Sequence, residues 1–299
     1  MQIKNVTRFK ENIYRLIFTI LAFASLFFLL GITIILFKEG LPIFKEVNVF
    51  DFIFGKYWYP THDDAEYGIL PIILGSLWVT VGALFVCMPL GVGSALYMHE
   101  LAGHRQKSVL KPLIEILAAI PSIVYGFFGM VIVAPFIQKT LNLHVGLTAF
   151  TGSLMLGIMA TPTVCSIAED ALSFVPKSFR EASYALGANR WQTLIHVIMP
   201  AAGSGISTAI ILGMSRAIGE TMTVLMVCGG AAMIPRSFFQ PVRPMTATIA
   251  AEMGETVMGG IHYHALFAIG LLLFLFTLVF NIVAEIISRR YRLKLGLGR

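Results

Sequence analysis

Two stretches of this 299-residue sequence carry side chains whose types and spacing can do chemistry. The first is SRAIGETMTV, Ser215 to Val224, where Arg216 and Glu220 stand four residues apart inside a long apolar run. On a continuous helix that separation puts both on one face. An ionisable group alone at a bilayer centre costs at least about 2.5 to 3.5 kcal/mol, so such residues turn toward a protein interior or an aqueous route. Arginine offers planar, permanently charged donors that suit an oxyanion, and the hydroxyls of Ser215, Thr221 and Thr223 add more. Two readings follow: a conduit for an anion, in which Glu220 holds Arg216 at rest so that it does not become a trap, or an ion pair that only neutralises itself.

The second stretch is EASYALGANRWQTLIHVIMP, Glu181 to Pro200. Ser178 precedes Glu181 by three residues, a spacing that predicts a capping box opening a helix that Gly187 ends. Asn189 is placed to cap a second short helix running through Trp191, Leu194 and Val197 to Pro200. The result is a compact helix, turn, helix unit between two oily segments, and an ordinary helical loop is the alternative.

Signatures of covalent or metal chemistry fail. No G-x-x-x-x-G-K-[ST] occurs, so the chain lacks a P-loop. His99, Glu100 and His104 miss the H-E-x-x-H pattern because Gly103 occupies the second histidine's place. His262 and His264 lack a carboxylate at zinc-site spacing, and Ser204 and Ser207 lack nearby partners that would activate a nucleophile. Cys87, Cys165 and Cys228 stand singly in apolar segments, as small packing residues do. Neither an enzyme nor a metal site is expected.

The elements that must position these residues are transmembrane. Hydrophobic residues make up 57% of the chain and charged ones only 13%, where a soluble domain carries about 25% charged. Runs of the length a bilayer requires, about 20 helical residues, occur over 13–37, 68–97, 112–137, 146–168, 203–234 and 265–287. The expectation is an all-α membrane protein of six helices forming one transmembrane domain over 1–299, with a cytoplasmic loop over about 169–200. Most of its 22 Lys and Arg fall on one side: Lys4, Arg8, Lys10 and Arg15 at the N-terminus, Arg105, Lys107 and Lys111, then Lys177, Arg180 and Arg190, and finally Arg289, Arg290, Arg292, Lys294 and Arg299. That bias puts both termini in the cytoplasm. The net charge of +6 is therefore juxtamembrane, reading as topology and contact with anionic lipid, not nucleic acid.

Outside the membrane, the aromatic and acidic segment 38–67 reads as an interfacial anchor, with Arg236 and Arg243 in the other external stretch. A piece around Ala247 to Met258 is too short to span and reads as a re-entrant or surface helix. Prolines and glycines interrupt the spans and AAGSGISTA, Ala201 to Ala209, invites close backbone approach, so a partner subunit is expected.

Glu181, Ala182, Ser183, Gly187, Val197, Met199 and Pro200 reproduce, in order and spacing, a pattern that resembles the EAA loop of ABC importer permeases. The resemblance implies that this loop docks in a groove of a cytoplasmic ATPase and passes its motion to the helices. More specifically, YGILPIILGSLWVT, PLGVGSALYMHELA, IEILAAIPSIVYGFFG, SRAIGETMTV and PMTATIAAEMGE together resemble the PstC-type permeases of phosphate-specific transport systems. This implies a type I ABC importer permease in the cytoplasmic (inner) membrane, crossing it several times. Its partners would be a PstA-type permease subunit, two copies of the ATPase and an extracytoplasmic phosphate-binding protein. ATP and Mg would be used by the ATPase, with no cofactor on this chain, and Arg216, Glu220 and Thr221 would lie on the anion route. Phosphate retains a proton that a carboxylate can accept and sulfate has none, so Glu220 could also discriminate between them. Another tetrahedral oxyanion (sulfate, molybdate or phosphonate), or a subunit that signals phosphate status, are the alternatives.

Overall fold

The computed structural model describes residues 2–294, with side chains from 14 to 286. Arg299, and the side chains of Lys4, Arg8, Lys10, Arg289, Arg290, Arg292 and Lys294, lie outside the described residues. Helix α1, Gln2–Gly40, is uninterrupted and apolar beyond Arg15; it packs chiefly on α14, and from Tyr14 onward most of its side chains are exposed. A 3-10 turn over Leu41–Lys45 leads to α2, Val49–Phe54, which Asn48 caps by accepting from the Phe50 amide at 3.0 Å. Strands β1, Trp58–Tyr59, and β2, Glu66–Tyr67, pair antiparallel as a small hairpin. The aromatic segment thus divides: Phe52 and Trp58 turn inward at 1% and 2% exposure, while Phe50, Phe54, Tyr57 and Tyr59 stay outside. An anchor with all its rings in the headgroup zone describes only the second group.

Helix α3, Leu70–Leu96, runs on through a π turn, Tyr97–Leu101, and packs more extensively against α7, Ala149–Ser173, than any other pair of elements. Their approach depends on size at Gly91, where a Cβ would meet the Val164 side chain at 2.8 Å. Val79, Ala83, Met155, Leu156 and Met159 fill one part of this core.

Two expected spans are corrected. The run at 112–137 is not one helix. Helix α4, His104–Ala119, ends at Ile120, which is extended because a residue before proline is pushed away from helical backbone. The crossing segment begins at Ser122 and consists of α5, Ser122–Phe128, a π turn over Gly129–Val133, and α6, Ala134–Thr140. Pro135 lies just past that π turn, whose widened register relieves the clash of a proline ring with the carbonyl four residues back. Pro200 follows a third π turn, Leu194–Ile198, in the same way.

The run at 203–234 is likewise broken. After α8, Lys177–Ala185, and α9, Arg190–Thr193, the chain passes the Leu194–Ile198 π turn into α10, Met199–Ala201, then bends by 69° into α11, Gly203–Ile218. Gly219 ends α11, and only the six-residue α12, Met222–Val227, follows. At Gly229 and Gly230 φ is +86° and +70°, values that glycine alone adopts freely, and the backbone turns there to bridge Val242. Helix α13, Met245–Glu252, is indeed too short to cross, and its first four residues are buried. Helix α14, Ile261–Lys294, closes the fold. Among the described residues, five segments are long and apolar enough to span a bilayer, and a sixth is reached when the bent Arg190–Ala201 and Gly203–Ile218 pair is counted as one span.

Candidate functional site

The break at Gly219 changes the relation between Arg216 and Glu220. Arg216 occupies the last turn of α11, where the helix dipole favours a cation, whereas Glu220 lies beyond the helix end. They do not share a helix face, and among the described residues no ion pair joins them. Instead Arg216 Nη1 donates to Thr163 Oγ1 of α7 at 3.0 Å. Glu220 turns the other way, its Oε1 accepting from the Thr223 amide at 3.4 Å and the Thr223 hydroxyl at 3.5 Å. Thr223 also donates to the Ser122 carbonyl at 3.0 Å, and Thr246 of α13 donates to the Glu220 carbonyl at 2.6 Å. Ser215 donates to Asn281 of α14 at 2.7 Å, and Thr221 to the Gly219 carbonyl at 3.5 Å. The resting clasp of Arg216 by Glu220 is therefore replaced: a threonine that spacing did not single out aims the guanidinium, while hydroxyls and backbone hold the carboxylate. Arg216 is exposed and Glu220 half-buried. A charge within a membrane segment that no carboxylate neutralises needs water or another subunit beside it.

The Glu181–Pro200 unit forms as a hinge of two short helices. Helix α8 starts at Lys177 after Pro176, which presets the backbone for the first turn, so Ser178 lies inside the helix and the expected Ser178–Glu181 capping box does not form. Gly187, at φ +82°, ends it: the Gly187 amide donates to the Tyr184 carbonyl at 2.9 Å and that of Ala188 to Ser183 at 3.2 Å. The reciprocal box sits at the second helix. Asn189 Oδ1 accepts from the Gln192 amide and Gln192 Oε1 from the Asn189 amide, both at 2.9 Å. Buried Ser183 and Thr193 hydroxyls, 2.8 Å apart, fasten the two pieces together. Ser183, Ala182, Leu186 and Val197 line one shallow groove, Glu181 and Pro200 are exposed, and Leu186 and Trp191 stand 89% and 58% exposed. Apolar side chains so bare at a polar turn mark a surface made to be covered.

Behind the unit lies a charge network that spacing did not reveal. His99 and Glu100, a failed metal motif in sequence, meet Arg180 of α8: the guanidinium pairs with buried Glu100 and lies 3.3 Å from His99 Nε2. His99 Nδ1 lies 3.3 Å from the Ser173 hydroxyl, which donates to Glu169 at 3.4 Å. Glu169, 2% exposed, also takes Lys107 at 2.6 Å and Lys111 at 2.9 Å from α4. Bonding to Glu169 pushes the Lys111 ammonium above the ordinary lysine range. This network ties α8 to the ends of α3 and α7 and to α4. Its sequence signal was two carboxylates at the ends of apolar runs facing basic loops.

Residues 87–293, which contain both candidate sites, match the family model described as binding-protein-dependent transport system inner membrane component. The chain belongs to that family. As a binding-protein-dependent permease it is 39% identical over 278 residues to the probable ABC transporter permease protein YqgH of Bacillus subtilis, across 92% of this chain and 90% of the relative. It is 34% identical over 255 residues to the phosphate transport system permease protein PstC of Haemophilus influenzae, across 79% of each. Among solved structures, a chain of a bacterial alginate ABC transporter superposes with a TM-score of 0.65 at 12% identity, over 92% of this chain and 94% of that one. A chain of the MetNI methionine ABC transporter gives 0.58 at 19% identity, over 73% and 93%. These likenesses establish the type I permease fold of ABC importers.

Proposed function

We propose that this binding-protein-dependent permease is one membrane-spanning half of an ATP-driven importer of inorganic phosphate. The observation that carries the proposal is Arg216: a guanidinium inside a membrane segment, aimed by Thr163, unpaired with Glu220 and exposed. Such a group stabilises a passing tetrahedral anion, and a duct between two related subunits supplies the water it needs. Relatives named as phosphate transport permeases, at 34% identity and below, favour phosphate over sulfate, molybdate or phosphonate.

Both termini face the cytoplasm in the inner membrane, and an extracytoplasmic binding protein delivers the anion. A separate ATPase, present in two copies and using ATP and Mg, covers the Leu186 and Trp191 surface of the Glu181–Pro200 unit. The permease performs no covalent chemistry. Its motion passes from α8 through Arg180 and Glu100 to α3, and through the bent segment to α11. Glu220, half-buried beside the route, repels a second anion and accepts a hydrogen bond from a protonated one.

The test is uptake of radiolabelled phosphate by the reconstituted importer. Arg216→Gln is expected to lower uptake at least tenfold while ATP hydrolysis continues, with Arg216→Lys in between. Unchanged uptake by Arg216→Gln would refute the proposal.

A further inference from the structure

On the external side, β1, the 230–233 turn, the end of α13 and the start of α14 line a cavity of about 630 Å³ whose polar groups converge on one carboxylate. Arg243 Nη1 donates to Glu252 Oε1 at 2.5 Å. The Trp58 indole N–H reaches both Glu252 oxygens, at 3.1 and 3.2 Å, and His262 Nε2 lies 2.9 Å from Oε2. The set is rigid. Trp58 is 2% exposed and packs edge-on against His262, while Arg243 Nε is fixed by the Gly230 carbonyl at 2.7 Å. A guanidinium, an indole N–H and an imidazole aimed at two oxygens of one anion form the donor arrangement that an oxyanion requires.

We infer that this cavity is an outer receiving site for a tetrahedral oxyanion, free inorganic phosphate on the transport proposal above, and that Glu252 occupies the donors until the substrate displaces it. The exchange replaces one anion by another on the same donors, so neither state leaves Arg243 unpaired. Glu255 on the cavity wall adds a second negative charge that disfavours retention of a bound anion, which suits a site of passage. The location also fits. Arg243 stands three residues before Thr246, which donates to the Glu220 carbonyl, so the beginning of α13 spans from the cavity to the inner site.

The test uses the assembled importer in nanodiscs without its binding protein, with radiolabelled inorganic phosphate as the probe. Glu252→Gln removes the internal anion but preserves size, and is expected to bind phosphate at least tenfold more tightly than the wild type. Adding Arg243→Met should abolish the gain, and adding Trp58→Phe should reduce it severalfold. No gain in Glu252→Gln, or a gain that survives Arg243→Met, overturns the inference. If Glu252→Gln does not assemble, the wild-type fluorescence minus that of Trp58→Phe must change on adding phosphate, and a flat difference overturns it equally. Discs with and without phosphatidylglycerol separate free phosphate from a lipid headgroup: competition by the lipid assigns the donors to the headgroup and overturns the inference. Repeating the binding in an Arg216→Gln background keeps the two proposals apart. A retained gain places the anion at the outer cavity whatever happens to uptake, whereas a lost gain places it at Arg216 and sinks the receiving site.

Discussion

Replacing Glu169 by glutamine keeps the shape of the most enclosed carboxylate in the charge network and removes its charge. The side chain of Glu169 is 3% exposed, and bonds from Lys107 and Lys111 reach it at 2.6 and 2.9 Å. A hydrogen bond to a charged group contributes about 1.5 to 3 kcal/mol, so the two together contribute roughly 3 to 6 before solvent is considered. The lysines are 37% and 42% exposed and recover hydration when released, which halves the effect to about 2 kcal/mol. For a chain of this size that corresponds to a fall in Tm of roughly 3 °C. The three buried cysteines provide the assay, because a thiol-reactive fluorophore labels Cys87, Cys165 and Cys228 only as the helices separate. Asp170→Asn is the control, since Asp170 is the next residue along α7 and is exposed. A Glu169→Gln midpoint within 1 °C of the wild type, or one matched by Asp170→Asn, would refute the assignment of the network as a structural clamp.

Three further outcomes are expected. Lys111 has its pKa raised in the folded state by bonding to Glu169, so its contribution is fully present below the unfolded value of 10.5 and is lost as pH rises through the higher folded value; the wild-type midpoint should therefore drop more steeply above pH 10.5 than that of Lys111→Met. Gly187→Ala places a Cβ in open space but in left-handed backbone, at a cost of about 1 to 2 kcal/mol, so crosslinking of the unit to the ATPase should weaken while the rest of the permease keeps its midpoint. Thr163→Val should lower the maximal phosphate uptake rate about fivefold and Thr163→Ser should restore it, because only the hydroxyl accepts from Arg216; equal losses in both variants would point to packing instead.

What could be read from the sequence followed from local rules. The Gly187 turn and the Asn189 cap need only a few adjacent residues, and both form where spacing puts them. Ser178 misled because α8 already starts at Lys177, directly after Pro176, and a capping serine must stand outside the helix. The breaks at Pro121 and Gly219 were hidden because the residues beyond them stay apolar, so hydropathy runs on where the backbone does not. That break separates Arg216 from Glu220 despite their helical spacing. The charge network joins residues 58 to 81 positions apart, and no periodicity carries such information. The convergence on Glu252 likewise brings Trp58 across 194 positions.

The 69° bend between the Glu181–Pro200 unit and α11 has the geometry of an elbow with a long forearm. From Gly203 to Arg216 the helix extends about 20 Å at 1.5 Å per residue. A swing of about 10° at the elbow moves a point at that distance by roughly 3.5 Å, more than enough to part the guanidinium from Thr163. On the function proposed above, a modest tilt of the Glu181–Pro200 unit is thereby amplified into a displacement of Arg216, without any helix having to unwind.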